Sequence, residues 1–246
     1  MKVLVTGGAG FIGANYVRQV IEGENFGIRQ VTVVDKLTYA GAKNRLSDSI
    51  LNEINFIEGD IRDKFLMERL VRDNDAILNF AAETHVDRSI NSPEVFISTN
   101  VSGTSTILDL VKKFEDKRFV QVSTDEVYGT LNEGSWSEES CLLPNSPYSA
   151  SKASGDLICR AYSKTFGLDV LVTRCSNNYG PFQFPEKIIP LFITNLIESK
   201  RVPIYGTGMN VRDWLHVNDH CRAINLVLLK GRSGEIYNIG GGRELT

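Results

Sequence analysis

Short apolar segments alternate with longer helical patterns along most of the chain. The apolar segments lie at 2–6, 31–35, 54–60, 76–80, 119–123 and 169–174. The helical patterns lie at 12–22, 63–73, 94–113, 147–166, 186–199 and 218–229. Segments this continuously apolar are typical of parallel strands that helices cover on both faces. The alternation therefore predicts an α/β fold built on a doubly wound, parallel Rossmann sheet.

Charge and hydropathy exclude several classes of protein. The 246 residues carry a formal net charge of −3, so attraction to nucleic acid or to an anionic membrane is weak. No apolar stretch approaches the roughly 18 residues of a membrane span. Met1 leads directly into a strand pattern rather than into a signal peptide, and the cysteines form no C-x-x-C pair. We therefore expect a cytoplasmic protein.

A glycine-rich turn, "VTGGAGFIG", follows the first strand and opens the first helix. Its glycines fit two spacings, Gly8-x-Gly10-x-x-Gly13 and Gly7-x-x-Gly10-x-x-Gly13. Such glycines let the backbone approach a pyrophosphate at the helix N-terminus. Asp35 ends the second strand, where a carboxylate accepts hydrogen bonds from an adenosine ribose. These features predict a dinucleotide site with a preference for NAD over NADP.

Tyr148 and Lys152 lie four residues apart in "YSASK", on one face of a predicted helix. Ser146 and Pro147 are suited to the N-cap and first position of that helix. An ammonium group near a phenol lowers the pKa of the phenol, and a phenolate can remove a hydroxyl proton as hydride leaves the carbon. With a dinucleotide site upstream, this pair predicts oxidation of an alcohol.

The strand at 119–123 runs into Thr124, Asp125 and Glu126. A hydroxyl and two carboxyl groups at the end of a buried strand are either a solvated turn or a set of acid and base groups at the mouth of the sheet. Successive strand residues face opposite ways. Both carboxyl groups can therefore act at one site only if the strand has ended before them.

Several motifs resemble those of the dTDP-glucose 4,6-dehydratase family, within the extended short-chain dehydrogenase/reductase superfamily. They are "TGGAGFIG", "DKLTYAG", "AAETHVDRS", "STDEVYG", "YSASK", "CSNNYGP", "FPEKIIP", "RDWLHVNDH" and "YNIGGG". The resemblance extends over the whole chain. Of these motifs, the Thr-Asp-Glu run best distinguishes dehydratases from related nucleotide-sugar epimerases, because the epimerases keep the hydroxyl residue but follow it with small or apolar residues.

The resemblance implies conversion of dTDP-glucose to dTDP-4-keto-6-deoxyglucose with NAD as cofactor. Tyr148 would be the base in oxidation at C4, supported by Lys152, and Thr124 would bond the C4 oxygen. Glu126 would then remove the C5 proton while Asp125 protonates the departing C6 hydroxyl, and hydride would return to C6. Neighbouring carboxyl groups in different surroundings can take these opposite roles.

The same resemblance implies a homodimer, in which helix 94–113 and a second helix pack against the same two helices of the other subunit. It also implies the binding residues. The residues implied around NAD are Gly7, Gly10, Phe11, Ile12, Gly13, Asp35, Lys36, Thr38, Asp60, Ile61, Ala81, Ala82, Thr84, Thr99, Tyr148, Lys152 and Asn178. Those implied around the nucleotide sugar are Thr84, Thr124, Glu126, Asn177, Lys187, Pro203, Tyr205 and Arg212.

The regular alternation fades after residue 175, where glycine, proline and aromatic residues become frequent. We expect residues 1–175 to form an NAD-binding Rossmann domain that carries the catalytic residues. Residues 176–246 are expected to form a smaller nucleotide-sugar-binding region, with some chain returning to the sheet. The final "GGGRELT" has no closing helix, which predicts that this region is incomplete.

Two other functions remain open from the residues alone. An epimerase or reductase acting on another nucleotide sugar would use Tyr148 and Lys152 without needing both carboxyl groups. A non-catalytic NAD-binding module would need none of these catalytic groups. His216 and His220 have the spacing of zinc-binding helices, but Val217 stands where a zinc protease has glutamate, so we expect no metal site.

Overall fold

The computed structural model describes residues 1–23, 27–131, 133–204 and 206–246. Its strands are β1 (Lys2–Thr6), β2 (Gln30–Asp35), β3 (Asn55–Glu58), β4 (Ala76–Asn79), β5 (Arg118–Thr124), β6 (Val170–Cys175), β7 (Asn177–Tyr179), β8 (Arg212–His216), β9 (Ile236–Ile239) and β10 (Glu244–Leu245). Seven of them form one parallel sheet in the order β3-β2-β1-β4-β5-β6-β9. The predicted doubly wound sheet is confirmed.

The helices lie mostly where the apolar spacing predicts them. They are α1 (Phe11–Glu22), α2 (Asp48–Glu53), α3 (Lys64–Asp73), α4 (Val86–Asn91), α5 (Pro93–Phe96), α6 (Thr104–Phe114), α7 (Pro147–Phe166), α8 (Ile188–Ile197) and α9 (Val217–Lys230). The helix predicted over 94–113 is present as consecutive helical residues, but it is not α-helical throughout. A π-helical segment, Ile97–Gly103, separates α5 from α6, and α4 precedes both.

Helices cover both faces of the sheet, and successive residues of β1 show how. Val3 and Val5 are buried in one core with Tyr16 of α1 and Ile224 of α9. Leu4 is buried in the opposite core, which also contains residues of α3 and α6. Because strand residues alternate between faces, a strand buried on both sides must be apolar throughout. This explains the uninterrupted apolar run of β1.

Residues beyond 175 contribute to two sheets. Strands β7, β8 and β10 form a small sheet in which β8 is central, parallel to β7 and antiparallel to β10. Strand β9 instead joins the edge of the main sheet beside β6. Helix α9 packs against α1. The strands β7 to β10 have only two to five residues each, too few for apolar spacing to predict them.

The strand order reverses between β1 and β4. In open α/β sheets the crevice beyond the carboxyl ends of the strands at such a reversal is where ligands bind. The predicted residues at the ends of β1, β2, β4 and β5 therefore converge at this edge. None of the helices in the described residues is long and apolar enough to cross a membrane.

Candidate active site

In the turn between β1 and α1, the glycine backbone lies unusually close to other backbone atoms. Gly7 has φ +68°, and a Cβ there would lie 2.6 Å from the amide nitrogen of Ala81. A Cβ on Gly13 would lie 2.3 Å from the carbonyl oxygen of Gly7. Gly8 has another role, because its Cβ would meet Val33 in the core. Gly7, Gly10 and Gly13 line the cavity described below, so the 7-10-13 spacing describes the turn that faces a ligand.

Asp35 lies at the end of β2 with a fixed carboxylate. Its Oδ2 accepts the amide hydrogen of Ala9 at 2.9 Å, and its Oδ1 accepts that of Leu37 at 2.8 Å. The side chain is buried and borders the cavity. A carboxylate has about four acceptor positions, so it can take further hydrogen bonds from ligand hydroxyls.

Asp60, after β3, pairs with two cations. Its Oδ2 lies 3.0 Å from Lys36 Nζ, and Arg62 Nε donates to Oδ1 at 3.0 Å. The hydrogen bonds from Arg62 are the main cause of a pKa for Asp60 well below the usual range. Asp60 is therefore ionised at neutral pH and fixed at the cavity rim.

A cavity of about 330 Å³ runs along the carboxyl edge of the sheet. It gathers every residue predicted around NAD: Gly7, Gly10, Phe11, Ile12, Gly13, Asp35, Lys36, Thr38, Asp60, Ile61, Ala81, Ala82, Thr84, Thr99, Tyr148, Lys152 and Asn178. It is also lined by Thr124, Asp125, Glu126, Asn177 and Lys187. Residues from distant parts of the sequence therefore border one continuous space.

Two of the predicted nucleotide-sugar residues are not part of this lining. Pro203 and Arg212 are exposed outside the lining of the cavity. Tyr205 lies outside the described residues. The positive charge of Arg212 nevertheless opposes a rise in the pKa values of Asp125 and Glu126, so this charge acts on groups that line the cavity.

Strand β5 ends at Thr124, and a 3-10 turn, Asp125–Tyr128, follows. The Thr124 hydroxyl caps this turn by accepting the amide hydrogen of Glu126 at 3.3 Å. The alternation of a strand therefore stops before the two acidic residues. Both Asp125 and Glu126 reach the cavity, as a joint role at one site requires.

The two carboxyl groups have raised pKa values. Burial, and then the charge of Glu126, raises the pKa of Asp125 to about 6. Burial also raises the pKa of Glu126, while Lys187 and Arg212 oppose that shift. Each group has its own set of neighbours, so one can hold a proton while the other is ionised.

Tyr148 lies in the first turn of α7, which a capping box between Ser146 and Ser149 stabilises. Burial raises the pKa of the Tyr148 phenol well above its usual value, and the charges of Glu126, Cys175 and Asp125 add to this. The lowering expected from Lys152 together with a nicotinamide cation stays a prediction. Lys152 Nζ donates to the carbonyl oxygen of Val122 at 2.7 Å, and its own pKa is lowered by burial.

Two further side chains in the cavity were not predicted. Glu83 follows β4, and the Asn100 side chain holds its backbone through two hydrogen bonds, at 2.8 and 3.0 Å. Burial raises the pKa of Glu83, and Lys36 opposes the shift. Cys175 ends β6 and donates to the carbonyl oxygen of Ser123 at 3.4 Å. Glu83 and Cys175 lie in the motifs "AAETHVDRS" and "CSNNYGP", which were the available signal.

The two spaced histidines have separate structural roles. His216 caps α9, accepting the amide hydrogen of Asn218 at its Nδ1. His220 is buried, and its Nδ1 lies 2.9 Å from Asn178 Oδ1. Burial lowers the pKa of His220 to about 3. Within the described ranges, no group of three or more His, Cys, Asp or Glu side chains is placed to hold a metal ion.

Comparison with known proteins gives consistent results. The family model for GDP-mannose 4,6 dehydratase matches residues 4–246. A dTDP-glucose 4,6-dehydratase from Streptomyces niveus is 56% identical, over 100% of this chain and 74% of that protein.

Solved structures agree in fold. The dTDP-glucose 4,6-dehydratase of Streptomyces venezuelae, solved with NAD and dTDP bound, has a TM-score of 0.96 and 56% identity, covering 100% of this chain and 77% of that one. A UDP-glucose 4-epimerase from Thermotoga maritima has a TM-score of 0.90 at 33% identity, covering 100% and 79%. The fold is therefore common to dehydratases and epimerases, and the sequence is more similar to the dehydratases.

Proposed function

The chain belongs to the GDP-mannose 4,6-dehydratase family, and we propose that it is an NAD-dependent lyase that converts dTDP-glucose into dTDP-4-keto-6-deoxyglucose and water. One observation carries the choice of reaction: a hydroxyl group and two carboxyl groups on one turn share a cavity with Tyr148 and Lys152. An epimerase needs the tyrosine and lysine, but its reaction has no elimination step and so no need for two carboxyl groups.

The residues that line the cavity fit NAD in their chemistry. The turn at Gly7, Gly10 and Gly13 has no side chains, so a pyrophosphate can approach its backbone and the start of α1. We assign Asp35 to the adenosine ribose, and Asp60 with Ile61 to the adenine. Tyr148, Lys152 and Asn178 border the other end, where the nicotinamide would lie. When bound there, NAD would supply a positive charge and a reversible hydride acceptor for the chemistry at C4 and C6.

We assign the proton transfers to the chain's own side chains. Tyr148 takes the proton of the C4 hydroxyl, Thr124 hydrogen-bonds the C4 oxygen, and Lys152 supports the phenolate. The C4 ketone acidifies the C5 proton, which Glu126 removes. Asp125, with a pKa raised by burial, protonates the departing C6 hydroxyl. General acid and base groups of this kind each contribute roughly 10² to 10⁴ in rate.

The nucleotide diphosphate would lie at the exposed end of the cavity. Lys187 Nζ donates to the carbonyl oxygen of Thr84 at 3.5 Å, and its positive charge opposes the rise in the pKa of Glu126. Together with Arg212 it provides donors for phosphate oxygens. Asn177, Pro203 and Tyr205 complete the proposed set. We assign residues 1–175 to cofactor binding and catalysis and residues 176–246 to the nucleotide sugar.

We also propose a homodimer in the cytoplasm. Large apolar side chains are exposed on neighbouring helical segments: Ile90, Val95, Ile97 and Leu157. They lie on α4, α5, the π-helical segment and α7, which pack against one another. A second copy would bury this face. Light scattering of the purified protein, compared with Leu157→Glu, tests the dimer, because a charge in an apolar interface should yield monomers.

The reaction can be tested with dTDP-glucose that carries deuterium at C4. We expect mass spectrometry to show loss of one water with the deuterium retained, now at C6. A product of unchanged mass, inverted at C4, would indicate an epimerase instead. Glu126→Gln should abolish water loss, whereas the same substitution would leave an epimerase largely active. Bound NAD with no conversion of any tested sugar would favour the binding-module alternative.

A further inference from the structure

Two residues of opposite charge, Asp35 and Lys36, meet at the end of β2. A carboxylate at this position favours a dinucleotide with a free ribose 2′-hydroxyl, whereas a cation beside it is typical of sites that accept a 2′-phosphate. Both residues line the cavity. The choice between NAD and NADP, which rests on the proposed dinucleotide site, therefore depends on what Lys36 contacts in the folded protein.

Asp60, on the neighbouring strand end, already pairs with Lys36. Lys36 Nζ lies 3.0 Å from Asp60 Oδ2. The same carboxylate accepts from the Arg62 guanidinium, with Nε 3.0 Å from Oδ1 and Nη2 2.5 Å from Oδ2. The remaining Arg62 nitrogen, Nη1, donates to the Ser98 hydroxyl at 2.6 Å. Both cations at this rim of the cavity therefore have an anionic partner before any ligand binds.

The formal charges around this edge of the cavity balance. Asp35 and Asp60 contribute two negative charges, and Lys36 and Arg62 contribute two positive charges. Glu83 lines the same cavity, and the charges of Lys36 and Arg62 act on its carboxyl group. A 2′-phosphate would therefore enter a region with no spare positive charge. Lys36 could bind it only by leaving Asp60, so one charge-assisted contact would merely replace another.

We propose that Asp60 is a specificity-determining residue, which excludes 2′-phosphorylated dinucleotides by occupying Lys36 and Arg62. Asp35 favours NAD by accepting from a ribose hydroxyl, and Asp60 disfavours NADP by pairing with the cations that would bind its phosphate. This role is distinct from the assigned contact of Asp60 with the adenine. NAD and NADP carry the same adenine, so loss of that contact weakens both alike, whereas release of the cations changes the ratio of the two affinities.

Calorimetric titration with NAD⁺ and with NADP⁺, in the absence of any sugar, measures this ratio. Asp60→Asn keeps the size of the side chain and one acceptor oxygen but removes the charge. We expect the dissociation constant of NADP⁺ relative to that of NAD⁺ to fall roughly tenfold, as one charge-assisted hydrogen bond would cause. Glu58→Gln is the matched control, because it removes the same charge from an exposed side chain two residues earlier. It should leave the ratio unchanged.

Lys36→Met tests the pairing from the other side, on a half-exposed side chain whose loss the fold should tolerate. Because Asp60 already neutralises Lys36, the single variant should change the ratio by less than about threefold. Combined with Asp60→Asn, it should remove most of the tenfold gain. A Lys36→Met protein that loses NADP⁺ selectively by tenfold or more would show that Lys36 is free to bind the phosphate, and would overturn the proposal.

Two other outcomes also count against it. If Asp60→Asn weakens both dinucleotides equally, or if the wild type binds both with the same affinity, Asp60 does not set the specificity. The proposed dehydration would stand in either case, because the deuterium experiment detects that reaction separately. A wild type that binds neither dinucleotide rejects the proposed cofactor site, and this role of Asp60 with it.

Discussion

Arg174 Nε donates to Asp156 Oδ2 at 2.9 Å inside the protein, with side chains only 3% and 1% exposed. Asp156 lies one helical turn after Lys152 on α7, and Arg174 lies on β6. Arg174 Nη1 also donates to the Tyr128 hydroxyl at 2.8 Å. Tyr128 ends the turn that carries Asp125 and Glu126. One buried ion pair therefore connects the helix of the proposed oxidation step with the turn of the proposed elimination step.

Breaking this pair should destabilise the whole protein. Arg174→Met leaves Asp156 as a buried charge without its partner, which typically costs about 3–5 kcal/mol. The exposed pair of Arg72 with Asp73 provides the control, since both side chains are 57% exposed and Arg72→Met should cost less than about 1 kcal/mol. Urea unfolding measures both losses. Equal losses in the two variants would show that the buried pair adds nothing to stability.

Asp125→Asn should stabilise the protein in a pH-dependent way. The pKa of Asp125 is raised from 3.8 to about 6 in the folded state. A raised carboxyl pKa favours folding below the unfolded value, and that contribution is lost as the pH rises through about 6. Above it the wild type bears a cost of roughly 3 kcal/mol that the variant lacks.

This gain should therefore be small near about pH 3.5, roughly half of its full size near about pH 5 and largest near about pH 8, as measured by urea unfolding. Glu133→Gln removes an acid that is exposed and should show no such trend. A gain for Asp125→Asn that did not change with pH would mean that burial does not raise the pKa of Asp125.

Alanine substitutions at two neighbouring glycines should have opposite effects. Gly10 has φ −74°, which alanine accepts, but its Cβ would lie 3.2 Å from the Gly7 carbonyl oxygen at the cavity wall. We expect Gly10→Ala to weaken NAD binding roughly tenfold, or about 1.4 kcal/mol, with little loss of stability. A Cβ on Gly8 would lie 2.6 Å from Val33 Cγ1 in the core.

Gly8→Ala should therefore cost about 1–3 kcal/mol of stability through overpacking and retain NAD affinity. Calorimetric titration with NAD and urea unfolding of both variants provide the comparison. If Gly8→Ala weakens NAD binding more than Gly10→Ala does, the other glycine spacing describes the cofactor turn.

NAD⁺ binding should lower the pKa of Tyr148. In the protein alone, burial and nearby negative charges hold this pKa well above its usual value. A nicotinamide cation placed against the phenol favours the phenolate. Ultraviolet titration of the wild type, minus that of Tyr148→Phe, should shift to lower pH with NAD⁺. NADH, whose nicotinamide is uncharged, should not cause this shift, and equal titration curves with both forms would contradict the assignment.

Local patterns predicted much of this molecule. The glycine turn, Asp35 at the end of β2 and the cap at Ser146 each depend on a few consecutive residues, and each is found where the sequence indicates. The helix over 94–113 was predicted but its π-helical segment was not, because apolar spacing does not distinguish a π-helical segment from an α-helix. Strands β7 to β10 were missed because they are short and stabilised by pairing with distant residues rather than by their own apolar pattern.

By itself, the sequence determined the parallel α/β sheet, the glycine turn and the positions of the proposed catalytic side chains along the chain, since these follow from local periodicity, turn chemistry and motifs. Only the tertiary structure decided which groups meet. It joined Arg174 to Asp156, directed Lys152 to Val122 and gave Asp125 and Tyr148 their raised pKa values. Burial and charge at one residue depend on every element packed against it, and the order of residues along a chain does not contain that information locally.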